Sequence, residues 1–361
     1  MKKLKLKRIW IILLITIIAL LAYPTFLTIK LVSNDYSFTS SLKIITNGLS
    51  DIAIDNKYSK TFEFALNNND FIKENSDKYI KLDYYERKTI ISDINSLIQK
   101  GYTIEDINLI NKTFDEKDIN ALFEKELIKE ISKYLEYDFF KSKNLDRYLK
   151  YHTDDYKRTI VDVNIGLDKK FYEDVNIVKD YSETVLVNKY NQLDETFVPN
   201  DLTEIKESCS NNSQKLSKVA QVAFEKMCDA ALQDNRYIFA NSAYRSYQDQ
   251  KEVYDTYLNL YGKTYVANYV ATPGYSEHQT GLAVDVGSKN SNIFGNSKEY
   301  KWMLENAYKY GFILRYTKSN QKITGYKEES WHYRYVGEEI AKYIQENNIT
   351  YEEYYVMFID K

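Results

Sequence analysis

Lys2, Lys3, Lys5, Lys7 and Arg8 precede a run with no charged side chain from Ile9 to Ile29, and no other feature constrains the chain as strongly. The run is 21 residues long, or roughly 31 Å as a helix at ~1.5 Å per residue, enough to cross a hydrocarbon core. Inside lipid the backbone has to satisfy its own polar groups, so a helix is expected. The basic flank stays cytoplasmic by the positive-inside rule, which places everything after Lys30 outside the membrane. A cleaved signal peptide is the competing reading. Ala19 and Ala22 do not form an A-x-A site and the run exceeds a usual h-region, so a retained signal-anchor over residues 1–30 is expected. Pro24 can kink such a span without preventing insertion, and no Cys follows the run to carry a lipid anchor.

A chain of 361 residues with 44% hydrophobic and 28% charged residues has room for one large or two ordinary cores. Its 49 basic and 52 acidic residues are scattered and leave a net charge of -3, so no basic face tracks phosphates and nucleic acid is not an expected partner. Cys209 and Cys228, the only cysteines, lie in the outward-facing part where oxidation is possible. A disulfide and two separate thiols are equally compatible with the sequence, and neither residue has metal-site spacing.

Between residues 31 and 180 apolar residues recur at helical intervals, as in Tyr84, Ile90, Ile91, Ile94 and Leu97, which predicts short helices joined by polar turns. Thr103 ahead of Ile104-Glu105-Asp106 is an expected N-cap, and Asp115-Glu116-Lys117-Asp118 opens a similar turn. The echo of Asp106-Ile107-Asn108 in Asp118-Ile119-Asn120 is too short to establish a repeat. Thr159 to Ile165 and Thr184 to Asn188 have strand-like composition. A domain boundary is expected near residue 180, because the pattern beyond it alternates between helices and strands. Expected strands are Tyr237–Ala243, Gly281–Val286, Phe312–Tyr316 and Trp331–Val336. Expected helices carry Leu216, Ala220, Ala223, Met227 and Ala230 on one face, run from a Ser246/Asp249 capping box to about Leu260, follow the cap Ser297, and span Glu338–Ile344. The expectation is an α+β domain over 181–361, preceded by a mainly helical extracytoplasmic domain over 31–180 and the N-terminal transmembrane helix.

Histidine is scarce, with three in the chain, and two fall in short stretches of unusual composition. His278 lies in a loop entering a strand that carries Asp285, and His332 opens another strand. If those strands are neighbours, two imidazoles and one carboxylate converge, which is the three-ligand arrangement of catalytic zinc with one open position. A metal there lowers the pKa of a water to about 7. Glu329, three residues before His332, is placed to move that water's proton. Arg245, at a strand end before a capped helix, can hold a substrate carboxylate or a developing oxyanion. Gln250 and Ser276 can line the same cleft. Taken singly, each has an ordinary structural explanation: His278 or Asp285 as packing groups, Glu329 as one loop carboxylate beside Glu328 and Glu277, Arg245 and Gln250 as surface residues. Trp331 is expected to pack, and His152, in the polar run Tyr151-His152-Thr153-Asp154-Asp155, to be exposed without a role.

Ser-x-His-x-x-Gly-x-Ala-x-Asp followed by Glu-x-Trp-His, with an upstream Ser-x-Tyr-Arg-Ser, resembles the VanY-type D-alanyl-D-alanine carboxypeptidases, a group related to lysostaphin-type peptidases and the hedgehog signalling domain. The resemblance covers about Thr184 to Ile344, including Leu186-Val187-Asn188-Lys189, and not the helical region before it. It implies a small antiparallel sheet flanked by helices, one zinc ion on His278, Asp285 and His332, Glu329 as general base and acid, and Arg245 with Gln250 and Ser276 positioning the substrate. The implied function is removal of the C-terminal D-alanine from peptidoglycan stem peptides. An L,D-carboxypeptidase, an endopeptidase on the same polymer, or a non-catalytic wall-binding protein are the alternatives. Ser330 departs from the pattern, standing where many relatives have Pro, which removes a stiffening element next to Glu329.

Overall fold

The computed structural model describes residues 2–86, 90–114 and 128–360. The expected turn at Asp115–Asp118 and the second half of the Asp-Ile-Asn echo lie outside the described residues. The chain divides into two compact units, Met1–Glu136 and Tyr137–Lys361, so the boundary expected near residue 180 falls inside the second unit.

The first unit begins with α1 (Lys2–Ser33), whose segment Lys7–Ser33 is long and apolar enough to cross a membrane, with a mean hydropathy of 2.4. Its large side chains from Ile9 to Phe26 are exposed, a continuous apolar surface that a water-soluble helix would cover. The helix continues past the uncharged run, and Leu27 and Leu31 are buried as its last turns pack on α2 (Phe38–Thr46) and α3 (Ser50–Asp55). Short helices follow: α4 (Lys60–Leu66), α5 (Ser76–Tyr79), α6 (Ile91–Gln99), α7 (Ile104–Thr113) and α8 (Ile128–Leu135). Ile91, Ile94 and Leu97 bury one face of α6, and Thr103 with Asp106 forms the expected capping box of α7.

A repeat is present, carried by polar side chains. In the first unit Asn95 Oδ1 accepts hydrogen bonds from the Tyr79 hydroxyl and from Asn75 Nδ2 (3.0 Å), while Asn95 Nδ2 donates to the Asp70 carbonyl (2.7 Å). In the second unit Asn164 Oδ1 accepts from the Tyr148 hydroxyl (2.5 Å) and Asn144 Nδ2 (2.9 Å), and Asn164 Nδ2 donates to the Phe139 carbonyl (2.9 Å). Each tyrosine packs on an aromatic neighbour, Phe71 or Phe140. The signature Asn-x3-Tyr-x15-Asn therefore occurs twice, every member displaced by the same interval.

The second unit starts with α9 (Leu145–Lys150) and α10 (Tyr156–Ile165). Thr159–Ile165, expected as a strand, is helical because Asp155 caps its start and Gly166, at φ 103°, its end. Thr184–Asn188, also expected as a strand, has only an isolated bridge at Asn188. Side chains take the place of a strand partner: Arg334 donates to the Glu183 and Val185 carbonyls and Tyr351 to that of Thr184. Residues 137–180 belong to this unit partly because Arg158 on α10 pairs with Glu353 and Lys141 with Asp360. Short strands pair next, β1 (Asn176–Ile177) with β2 (Asn191–Gln192) and β3 (Leu202–Glu204) with β4 (Lys215–Ser217).

The main sheet is antiparallel in the order β5 (Ile238–Ser242), β6 (Ala283–Ser288), β8 (Glu329–Tyr335) and β7 (Phe312–Tyr316). Strand periodicity sorts its side chains. Val284, Val286, Phe312, Tyr333 and Tyr335 enter the core with Ala220, Phe224, Met227 and Ala231 of α11 (Lys218–Gln233) and Trp302 and Met303 of α14 (Lys298–Asn306). Their alternates Asp285, Arg315, His332 and Arg334 occupy the opposite face. Helices α12 (Tyr247–Tyr261) and α13 (Lys263–Tyr269) lie between β5 and β6 in the chain, with Ser246 and Asp249 forming the expected capping box. After α15 (Gln321–Thr324) and β8, α16 (Glu338–Asn347) and α17 (Tyr351–Tyr354) close the unit. Cys209 and Cys228 are joined as a disulfide that ties the 3-10 turn Glu207–Cys209 to α11.

Candidate active site

Asp285 and His332 are directly opposed in the β6/β8 register, which settles the neighbourhood that the sequence left conditional. His278 arrives from the 3-10 turn Glu277–Thr280, capped by Ser276, whose Oγ accepts from the His278 backbone N–H (3.4 Å), and ended by Gly281. Gly281 has φ 68°, and a Cβ there would meet the Ser217 nitrogen at 3.0 Å; both facts favour glycine. One ligand atom from each of His278, Asp285 and His332 lies within 4.8 Å of the others.

Each imidazole is oriented from behind. His278 Nδ1 donates to the Ala243 carbonyl (2.6 Å) and leaves Nε2 facing Asp285 Oδ1 at 3.3 Å. His332 Nε2 donates to Glu277 Oε2 (3.1 Å) and leaves Nδ1 facing the same Asp285 oxygen at 3.0 Å. Partners behind both rings fix the tautomer in the way metal-binding histidines require. Burial opposes charge on His332, yet the hydrogen bonds to Asp285 and Glu277 outweigh it and lift the ring to about 9. Two imidazole nitrogens and one carboxylate oxygen suit a divalent transition metal, and these residues fit one.

Glu277 was legible only as one of several loop carboxylates. The structure buries it completely, with Oε1 bonded to Arg315 Nε (2.8 Å) and near Arg334 Nη1 (3.4 Å), and Arg315 held in turn by both oxygens of Glu352. Burial raises its pKa, but Arg315, His332 and Arg334 overcome that and hold it well below the carboxylate range. A buried ion network of this kind anchors the back of His332.

Glu329 behaves oppositely. The structure makes it the first residue of β8, paired with Tyr316, rather than part of a preceding turn. The β7/β8 register shifts between Leu314 and Tyr316, and the β5/β6 register shifts between Ala240 and Ser242 beside Asp285; bulges of this kind re-aim side chains next to active sites. The Glu329 carboxylate accepts no hydrogen bond from the described residues. Burial pushes it up to about 8; His332 and Arg245 pull the other way and the charges of Asp285 and Glu277 add to the rise.

Arg245 reaches the site from the opposite side. Its Nη2 donates to Asp285 Oδ2 (3.1 Å) and its Nη1 to Gln250 Oε1 (2.7 Å), while Nε is buried without a partner. Gln250 is buried, and its Nε2 donates to the Ala271 carbonyl (2.7 Å), so its amide holds Arg245 in place. These residues and Ser276 line one cavity of about 330 Å³. Tyr257, Tyr265, Tyr269, Tyr316 and Tyr326 also line it. Trp331, expected to pack, is instead 40% exposed and lines the cavity too, since the bulge turns it out of the core. His152 is exposed, as expected, beside the ring of Tyr156.

With this geometry in view, the comparisons are specific. The family model D-alanyl-D-alanine carboxypeptidase (VanY) matches residues 213–338. The YodJ protein of Bacillus subtilis (strain 168) is 40% identical over 207 residues, covering 53% of this chain and 76% of that protein. The chain belongs to the VanY D-alanyl-D-alanine carboxypeptidase family. A further relative, the D-alanyl-D-alanine carboxypeptidase of Enterococcus faecalis (strain ATCC 700802 / V583), is 34% identical over 179 residues, covering 47% of this chain and 64% of its own length. Among solved structures, the LdcB LD-carboxypeptidase aligns with a TM-score of 0.48 and 38% identity over 52% of this chain and 92% of that one. A mutant VanY D,D-pentapeptidase in complex with Zn(II) aligns with a TM-score of 0.44 and 33% identity over 48% of this chain and 99% of that one. The VanY match begins after β3 and ends at Glu338, the first residue of α16, so it encloses every candidate site residue.

Proposed function

We propose that this chain is a membrane-anchored zinc D,D-carboxypeptidase that removes the C-terminal D-alanine from peptidoglycan stem peptides outside the cytoplasmic membrane. The observation that carries the reading is the convergence of His278, Asp285 and His332 in a cavity that has Glu329 on one side and a partly unpartnered Arg245 on the other, within a member of the VanY family. The apolar segment of α1 is the anchor, and the chain that follows it faces the wall.

His278 Nε2, Asp285 and His332 Nδ1 would hold the zinc ion, which when bound supplies Lewis acidity and a pool of nucleophilic hydroxide at neutral pH. Glu329, which burial otherwise keeps protonated, would ionise beside that cation. Glu329 then takes a proton from the attacking water, the water oxygen bonds to the carbonyl carbon before the last residue, and the C–N bond breaks as Glu329 returns the proton to the leaving amine. Arg245 has N–H donors to spare for the terminal carboxylate, which a fork-shaped cation recognises better than a point charge. Gln250 and the Ala271 carbonyl keep that fork aimed, and Ser276 holds the turn that presents His278.

Replacing Glu329 by Gln keeps the side chain's size and removes its proton transfer. The full-length protein in detergent should release D-alanine from pentapeptide stems, and the variant should lose roughly 10²–10⁴ of the rate while binding one equivalent of zinc. Mass analysis of products from pentapeptide and tetrapeptide stems completes the test. Undiminished turnover by the variant, or cleavage confined to the tetrapeptide, refutes the proposal.

A further inference from the structure

Tyr257, Tyr261, Tyr265 and Tyr269 recur at four-residue intervals across the junction of α12 and α13. Gly262, at φ 79°, turns the chain between the helices, and the rings meet across that turn. Centroids lie 4.8 Å apart for Tyr269 and Tyr265, 4.6 Å for Tyr265 and Tyr261, and 5.9 Å for Tyr265 and Tyr257, the last pair parallel to within 6°. Tyr257, Tyr265 and Tyr269 line the active-site cavity, whereas Tyr261 lies beyond it and is 59% exposed. The rings therefore form a continuous aromatic ladder from the cavity wall to solvent, closed at its outer end where Tyr257 also meets Tyr261 at 5.8 Å.

We propose that this ladder is a carbohydrate subsite, on which the pyranose rings of the glycan strand stack while the attached stem peptide occupies the cavity. The inference rests on the stem-peptide reading above. A pyranose presents an apolar C–H face with hydroxyls at its rim, and a tyrosine presents an apolar ring with a hydroxyl at its tip, so stacking and hydrogen bonding are satisfied together. Continuity agrees, because the rings run outward from the wall of the cavity and the stem peptide placed in that cavity is attached to the glycan strand.

The test compares free pentapeptide with disaccharide-pentapeptide as substrates of the full-length protein and its Tyr261→Ala variant in detergent. Binding of a peptide-free GlcNAc–MurNAc tetrasaccharide is measured by calorimetry. Wild type should show a KM about fivefold lower for the disaccharide substrate, the worth of one aromatic stacking contact; the variant should lose that advantage, and tetrasaccharide binding should weaken equally. Equal KM values in wild type, or an advantage that survives Tyr261→Ala, overturn the assignment. A variant altered only in oligomeric state, read by light scattering, also overturns it and assigns the ladder to a second copy of this chain. If neither peptide is cleaved, the carboxypeptidase reading fails by itself. The tetrasaccharide then decides the subsite: binding lost in the variant supports it, and absence of binding refutes it.

Discussion

Glu277→Gln removes one negative charge from the buried network behind His332 while preserving shape and one acceptor oxygen. Arg315 keeps both oxygens of Glu352, but Arg334 is left with backbone carbonyls as its partners. Breaking a buried pair costs about 3–5 kcal/mol; because Gln retains a hydrogen bond and Arg315 retains Glu352, the lower end applies, about 3 kcal/mol. For a unit of this size each kcal/mol lowers Tm by ~2–4 °C, so the melting temperature should drop by roughly 6–12 °C at pH 7. The same change removes the ionised partner that orients His332 Nε2, and zinc affinity should fall by ~10–100-fold. The pH dependence has a definite sign. The carboxyl of Glu277 is depressed in the fold below its ordinary 4.5, so its contribution is complete above about 4.5 and is lost as pH falls below that value. Wild-type Tm should therefore decline more steeply below pH 5 than that of the variant. Differential scanning calorimetry between pH 3 and 8, with zinc binding measured by competition, provides the readout. A Tm change under ~2 °C at pH 7, or parallel acid limbs for the two proteins, would show that the network does not hold the site together.

Asp285→Asn keeps a weak oxygen donor at the centre of the proposed ligand set but deletes its charge, and zinc content after dialysis, measured by plasma mass spectrometry, should fall from one equivalent to near none. Gln250→Ala frees Arg245 Nη1, and the loss of a hydrogen bond to a charged group should raise KM by ~10-fold with a smaller change in kcat; an unchanged KM would mean that Arg245 is held by Asp285 alone. Cys228→Ser opens a link between residues separated by 19 positions, a loop whose closure contributes about 3 kcal/mol, so its Tm should match that of wild type under reductant and lie roughly 6–12 °C below the oxidised protein.

The candidate site was legible because its chemistry is concentrated in rare residue types in order along the chain. Two of three histidines, an alternating strand and a Glu-x-Trp-His segment already demand an explanation. The strands of the main sheet were legible for a related reason, since their two-residue alternation is strong where one face meets the α11 core and the other meets the site. Glu277 was illegible as a network residue because its meaning depends on Arg315, Arg334 and Glu352, which sequence reading places in unrelated segments. Thr184–Asn188 misled because its β-branched composition is satisfied by arginine and tyrosine side chains, which leave no trace in periodicity. Trp331 misled because a bulge, and not its residue type, decides which way it points.

The helical repeat shows the same limit from another side. Hydrophobic periodicity located the helices, yet the feature that repeats is an asparagine that ties a tyrosine, a second asparagine and a carbonyl together, and polar residues spaced by x3 and x15 fall outside any periodic template. One copy sits in the first unit and the other is built into the second, where Lys141, next to its Phe140, pairs with Asp360 and the following helix pairs with Glu353. Glu353 follows Glu352, and Glu352 grips Arg315. The second copy is thereby connected through α17 and Arg315 to Glu277 and the back of His332, so residues 137–168 are part of the scaffold of the catalytic unit. A truncation at residue 180, where composition changes, would cut that scaffold and should yield a less stable, weakly zinc-binding fragment. A truncation before Tyr137 should not.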